Sequence, residues 1–286
     1  MEQRPMSGHD PLSPPTADTA RAYLDELGVV VERREALIDR RRMARLACAE
    51  AVVLPVYLTI MMFSFGQSFS SPLMMIVALL LLWIQFSAEL RENYGGQPRL
   101  RGTTQWMYLG FGLTAVLSVV VGVWLQIVGV EISTLARFVP GIALLAVFGG
   151  RALRDLRDAP EALPNEHDSF TAGARYATAG LGVVLGLGVW ATAANESIVV
   201  VLAPLAMLLL LTWNVTAYVS SRLPALGAIW RWPQWTAFTV GACALAAMML
   251  LVIHTDAVTP PLAIAAAVGV TLLFVVVAFS GGRDAR

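Results

Sequence analysis

The residues able to do chemistry in this chain are few, and most of them interrupt long apolar runs. Glu50 lies about one turn inside the first such run, with Pro55 near its centre and Tyr57 beside it. A carboxylate there suits proton or cation binding along a path, because ionisable groups in a bilayer are costly and mark function by default. A proline at that place leaves one backbone carbonyl without its helical partner. The competing reading has Glu50 reach the inner interface and pair with an arginine such as Arg45 or Arg91. Gln85 and Glu89 are four residues apart, as are Asn214 and Tyr218, so each pair shares one helix face. Together they are candidates for a polar ligand site, and equally for amide hydrogen bonds that glue helices together. Glu131 and Arg137 fall at an outer end, where they would gate an opening or form a headgroup-level ion pair.

Catalytic signatures are missing. His9, His167 and His254 form no H-E-x-x-H or other paired spacing, and no G-x-S-x-G occurs. The run Glu166-His167-Asp168 reads as an acidic, solvated loop before it reads as a metal site. Every basic residue is arginine, which excludes an ordinary P-loop, a Schiff-base lysine and a kinase-type phosphate lysine. Cys48 and Cys243 sit within apolar runs and suggest neither a disulfide framework nor a thiolate metal site. The expectation is a non-enzyme with no metal and no cofactor; any ATP hydrolysis would belong to another chain.

The elements that must hold these groups are membrane spans. Of 286 residues, 57% are apolar and 14% charged, far too hydrophobic for a soluble enzyme, a nucleic-acid binder or a secreted disulfide scaffold. Runs of about 20 apolar residues, enough to cross the hydrocarbon core, occur at 46 to 66, 72 to 89, 106 to 127, 133 to 152, 176 to 194, 197 to 219, 235 to 253 and 261 to 280. The fourth is the least regular, since it must take in Arg137 and Pro140. The sequence therefore predicts an all-α, polytopic membrane helix bundle of about eight transmembrane helices in four hairpins. With both termini cytoplasmic, the inner segments hold nineteen of the twenty arginines and Arg137 alone stands outside, as cytoplasmic flanks require. Trp106, Trp230, Trp232 and Trp235 then fall at the inner interface and Trp124 and Trp190 near the outer one. A polar leader of some 45 residues and no cleavable signal peptide place the protein in a bacterial cytoplasmic membrane as a multi-pass protein.

The chain divides into a disordered tail at 1 to 16, an Arg-rich amphipathic helical segment at 17 to 45, a first four-helix half at 46 to 152, a cytoplasmic loop at 153 to 175, a second half at 176 to 280 and a tail at 281 to 286. Arg33, Arg34, Arg40, Arg41, Arg42 and Arg45 would meet anionic lipid headgroups or a cytoplasmic partner. Sliding the chain on itself by 129 residues sets Gln105-Trp106 on Gln234-Trp235 and Gln85 on Asn214. Either the halves form a 4+4 internal repeat about an axis along the membrane normal, or two apolar alphabets coincide. Glycines in the fifth span, Gly182 and Gly186, permit close helix approach within a compact bundle or a homo-oligomer. The functional expectation is a permease-like protein, the membrane subunit of a small-molecule transporter energised by a separate ATPase. The alternative is a non-transporting accessory or scaffold protein whose N-terminal helical segment recruits a partner.

Overall fold

A computed structural model describes residues 38–64, 72–95, 103–130, 132–161, 170–192, 225–255 and 257–280, with isolated helical positions at 18, 21, 23, 25, 26, 29 and 212. The expected sixth span, and with it Asn214 and Tyr218, lies outside these residues, as do Arg33, Arg34 and Glu131. Regular structure among the described residues is helical throughout. We number the helices α1 (Arg40–Ser64), α2 (Pro72–Asn93), α3 (Thr103–Ile127), α4 (Thr134–Asp158), α5 (Ala172–Ala191), the single turn α6 (Leu226–Ile229), α7 (Trp232–His254) and α8 (Pro260–Ser280). Six of them, α1, α3, α4, α5, α7 and α8, are long and apolar enough to cross a membrane. Helix α2 spans 22 residues and ends in Glu89, Arg91 and Glu92.

Each helix start has a local cause. Asp39 caps α1 by accepting the Arg42 backbone N–H at 2.9 Å, Ser133 caps α4 and Thr171 caps α5, each satisfying an amide that the first turn leaves open. Prolines open α2 and α8, where a missing N–H costs nothing. Gly95 and Gly129 follow the ends of α2 and α3 with φ of 76° and 74°, the left-handed conformation that terminates helices and favours glycine.

Two boundaries differ from the sequence reading by six residues, more than the others. Helix α1 begins at Arg40, so Arg40, Arg41, Arg42 and Arg45 are its own first turns and continuous with the span. The fourth span runs to Asp158, six residues past the expected end, and takes Arg151, Arg154 and Arg157 into the helix. Its irregularity is a π-helical turn at Leu145–Gly149, which apolar patterning does not announce.

Packing divides the described helices into two groups. In the first, α1 is the hub and its most extensive contact is with α4; in the second, α5 and α8 pack along almost their whole length. Small residues set both approaches. A Cβ on Gly141 of α4 would strike Thr59 and the Pro55 carbonyl of α1, while one on Gly182 or Gly186 of α5 would strike Phe274 or Thr271 of α8. Among the described helices, α1 with α4 and α5 with α8 are thus the most closely packed pairs. Helix α7 packs on α5 and α8 and also reaches α1 and α2, and α6 bridges α2 to α5. At this junction Trp83, Phe86, Trp230, Trp235 and Phe238 form one aromatic cluster, with Phe86 and Trp230 only 4.8 Å apart between ring centroids. Among the described residues, helix α3 is the least covered of the six, with Leu113, Val120 and Trp124 more than half exposed.

Candidate functional site

The polar chemistry of the bundle is concentrated on the last three turns of α2, sequence Trp-Ile-Gln-Phe-Ser-Ala-Glu-Leu-Arg from Trp83 to Arg91. At about 100° per residue, Ser87 and Arg91 form one row and Gln85 and Glu89 another on nearly the opposite side. The rows therefore serve different neighbours.

The first row faces α1 and α3. Arg91 donates through Nη2 to Glu50 Oε1 and to the Tyr108 hydroxyl, the latter at 2.8 Å. Its guanidinium also lies over the Tyr108 ring, 5.1 Å from the centroid. Glu50 is 1% exposed and Arg91 7%, so both charges are withdrawn from solvent and each is the other's principal partner. Ser87, 1% exposed, returns its hydroxyl to the Trp83 carbonyl and packs beneath the pair. The arrangement ties three helices at one point. Of the two arginines that the sequence offered Glu50, the partner is Arg91, and Arg45 is exposed.

The second row faces α6. Gln85 Nε2 donates to Glu89 Oε1 at 3.1 Å, and Glu89 Oε2 accepts the Gly227 backbone N–H at 2.6 Å. Asn93 adds a bond to the Ala228 carbonyl. A Cβ on Gly227 would come within 2.7 Å of the Phe86 carbonyl, so only glycine lets the α6 backbone approach this carboxylate. Close by, Trp230 donates its indole N–H to Thr178 of α5 at 2.9 Å. The Gln85 carbonyl oxygen is buried without a hydrogen-bond partner.

At the rim formed by the start of α1 and the end of α2, these two helices are tied again. The Asp39 amide donates to the Tyr94 carbonyl at 3.1 Å, Arg42 pairs with Asp39 at 3.2 Å, and the Arg42 guanidinium lies 5.9 Å from the Tyr94 ring centroid. Burial pushes the Tyr94 phenol above its ordinary pKa, with Arg42 acting in the opposite sense, and the ring stays neutral under its cation.

Outward of the Glu50 pair, an apolar cavity of about 240 Å³ lies between α1, α2 and α7. Tyr57, Trp83, Phe238 and Thr239 line it, with Val52 and Val56, each about half exposed, at its lateral edge. The Thr239 hydroxyl is already given to the Trp235 carbonyl. Tyr57 is thus the wall residue with a hydroxyl that no backbone group claims within the same helix.

The sequence-predicted residues separate accordingly. Glu50 is joined to Arg91, Gln85 to Glu89, and Tyr57 with Pro55 stands one to two turns outward of Glu50. Arg137 does not stand alone at the outer end: its guanidinium lies 5.5 Å from the Phe63 ring centroid, and Phe63 also meets Phe138 and His254. Arg40, Arg41, Arg42 and Arg45 mark the N-terminal end of α1. Tyr108 and Gly227 were not singled out from sequence; Tyr108 sits two residues past Gln105-Trp106 in a run that showed no polar pattern, and nothing around Gly227 distinguishes it. Cys48 and Cys243 are free, and no group of three metal-ligating side chains occurs among the described residues. No protein-family model, curated protein or solved structure matches the chain.

Proposed function

We propose that this chain is a permease-like membrane subunit of eight spans with both termini cytoplasmic, moving a small apolar or weakly polar molecule. The observation that carries the reading is the order of groups along α1: a closed charge pair at the inner end, then a proline, then a cavity at mid-span walled by Tyr57. A cavity of this size falls somewhat below the roughly 300–1,000 Å³ of drug-sized sites, so its content is a small molecule or a single chain. Its walls offer no charge, and a solute with a fixed charge would have no partner there. The absence of lysine supports a separate energising chain, since a P-loop cannot be built here. The first-to-fourth helix pairing in both halves supports the 4+4 repeat.

A second reading, a non-transporting scaffold in the bacterial cytoplasmic membrane, is favoured by one observation. Glu50 and Glu89, the carboxylates within the bundle, are both already bonded to protein groups. Purification of the whole protein in mild detergent separates the two. A stoichiometric ATP-hydrolysing subunit whose binding survives deletion of residues 17 to 37, which leaves the Asp39 cap and α1 intact, fits the permease. A partner lost on that deletion, with no hydrolysing subunit retained, fits the scaffold.

A further inference from the structure

We infer that the cytoplasmic ends of α1 and α4 form one arm that swings about a shared hinge level, and that Glu50, Arg91 and Tyr108 are the latch that holds it against α2. The inference does not depend on what, if anything, the bundle carries.

The hinge is read from two irregularities at the same depth. Pro55 has no N–H, so the Ala51 carbonyl loses its i+4 donor and α1 is weakened one turn outward of Glu50. Helix α4 runs antiparallel to α1, and two contacts fix its register. Gly141 faces Thr59 and the Pro55 carbonyl, and Asp155 is the charged neighbour of Cys48. Between those anchors the π turn Leu145–Gly149 comes opposite the weakened stretch of α1 and touches it. A π turn carries one residue more than the α-helical ladder accommodates, and mid-helix departures of this kind mark hinges and functional sites. Inside that turn Phe148 meets Gly110 of α3, next to Tyr108. One level thus holds a proline gap, a π turn and the only buried charge pair among the described residues.

Inward of this level, residues 40–50 of α1 and 150–158 of α4 pack on each other. The α1 strip is fastened to α2 by two ties: the Glu50, Arg91 and Tyr108 contacts within the bundle and the Asp39 and Arg42 contacts to Tyr94 at its rim. The rim tie crosses from α1 to α2 only as a backbone bond and a cation over a ring, because its ion pair, Arg42 with Asp39, lies within the start of α1 itself. The Glu50–Arg91 pair does cross between the helices, and losing either partner leaves a charge in a site closed to water. Two weakened helices with one strong fastening beyond the weak point have the mechanical form of a latch.

Ser87 is the reporter position, because it is 1% exposed on α2 at the face that the arm covers, whereas Cys48 lies between the two helices of the arm itself and stays covered when they move together. In inside-out vesicles holding the full-length Ser87→Cys protein in a Cys48→Ala, Cys243→Ala background, alkylation of position 87 by a membrane-impermeant maleimide is slow when the arm is shut. Both Glu50→Gln and Arg91→Gln accelerate it about tenfold or more, the equivalent of about 1.4 kcal/mol or more in the opening equilibrium. The two variants change local charge in opposite senses, so a simple field effect on the thiol would speed one and slow the other. Adding Pro55→Ala to Glu50→Gln restores the α1 ladder and returns the rate towards that of the parent. A cysteine placed at Ala278, fully buried in α8, in a Cys48→Ala, Cys243→Ala background stays slow in all variants. The inference is overturned by an unchanged rate at position 87 in either latch variant, by a fast rate that persists with Pro55→Ala, or by equal acceleration at position 278, which means general loosening.

Discussion

Replacing Arg91 with methionine isolates what the buried charge pair does for stability. The substitution keeps a long flexible apolar stem but removes the cation that Glu50, 1% exposed, depends upon. Removing one partner of a buried pair costs about 3–5 kcal/mol, because the remaining charge has neither water nor a counter-ion. Tyr108 loses its 2.8 Å hydrogen bond and the cation over its ring, adding about 0.5–2 kcal/mol. Replacing both members, as Glu50→Leu with Arg91→Met, removes the stranded charge, and such exchanges are typically neutral or stabilising by about 1–4 kcal/mol. The double variant should therefore be more stable than the Arg91→Met single variant, although it carries more changes. Thermal unfolding of the detergent-solubilised protein, followed by tryptophan fluorescence from the Trp83, Trp230 and Trp235 cluster, reads the order directly. The single variant should melt about 10 °C below the parent and the double variant near or above it. A single variant within a degree or two of the parent, or a double variant no better than the single, would refute the buried-pair reasoning.

Three other outcomes are expected. Gly227→Ala places a methyl within 2.7 Å of the Phe86 carbonyl and pushes the 227 amide off Glu89; it should cost about 1–3 kcal/mol and speed tryptic cleavage at the exposed Arg231, whereas unchanged cleavage would mean that α6 is not held by this bond. Gly186→Leu drives a side chain into Thr271 and the Ala267 carbonyl and should lower the melting temperature more than Gly180→Leu, whose position meets nothing within 4 Å; equal effects would deny the close α5–α8 contact. For orientation, a cysteine introduced at Ser197 should label from outside intact cells and one at Ser220 should not, with the reverse pattern contradicting the arginine distribution.

Much of the architecture was legible in hydropathy because a bilayer demands long apolar runs and leaves charges at their ends. The start of α1 at Arg40 was not, since four arginines read as polar leader; the Asp39 cap was the available signal. The π turn had none, because one extra residue in a helical ladder leaves apolar patterning intact. Glu50 with Arg91 was one of two pairings that the sequence left open, and only the positions of α1 and α2 choose between them. The Gln-Trp match between halves shows how identity fails to carry environment. Gln105 and Trp106 are exposed on the peripheral α3, whereas Gln234 is buried and Trp235 joins the aromatic cluster. Gly227 was illegible for a plainer reason: its role is to be small where two backbones meet, and the sequence does not say where that is.

The permease reading turns on whether the mid-span cavity is reached from both sides of the membrane. Tyr57→Cys in a Cys48→Ala, Cys243→Ala background, labelled by an impermeant thiol reagent in intact cells and separately in inside-out vesicles, asks this without knowing the solute. The account predicts labelling from both sides, with Glu50→Gln raising the cytoplasmic rate and lowering the external one. Absence of labelling from either side, in protein that still labels after solubilisation, would contradict it.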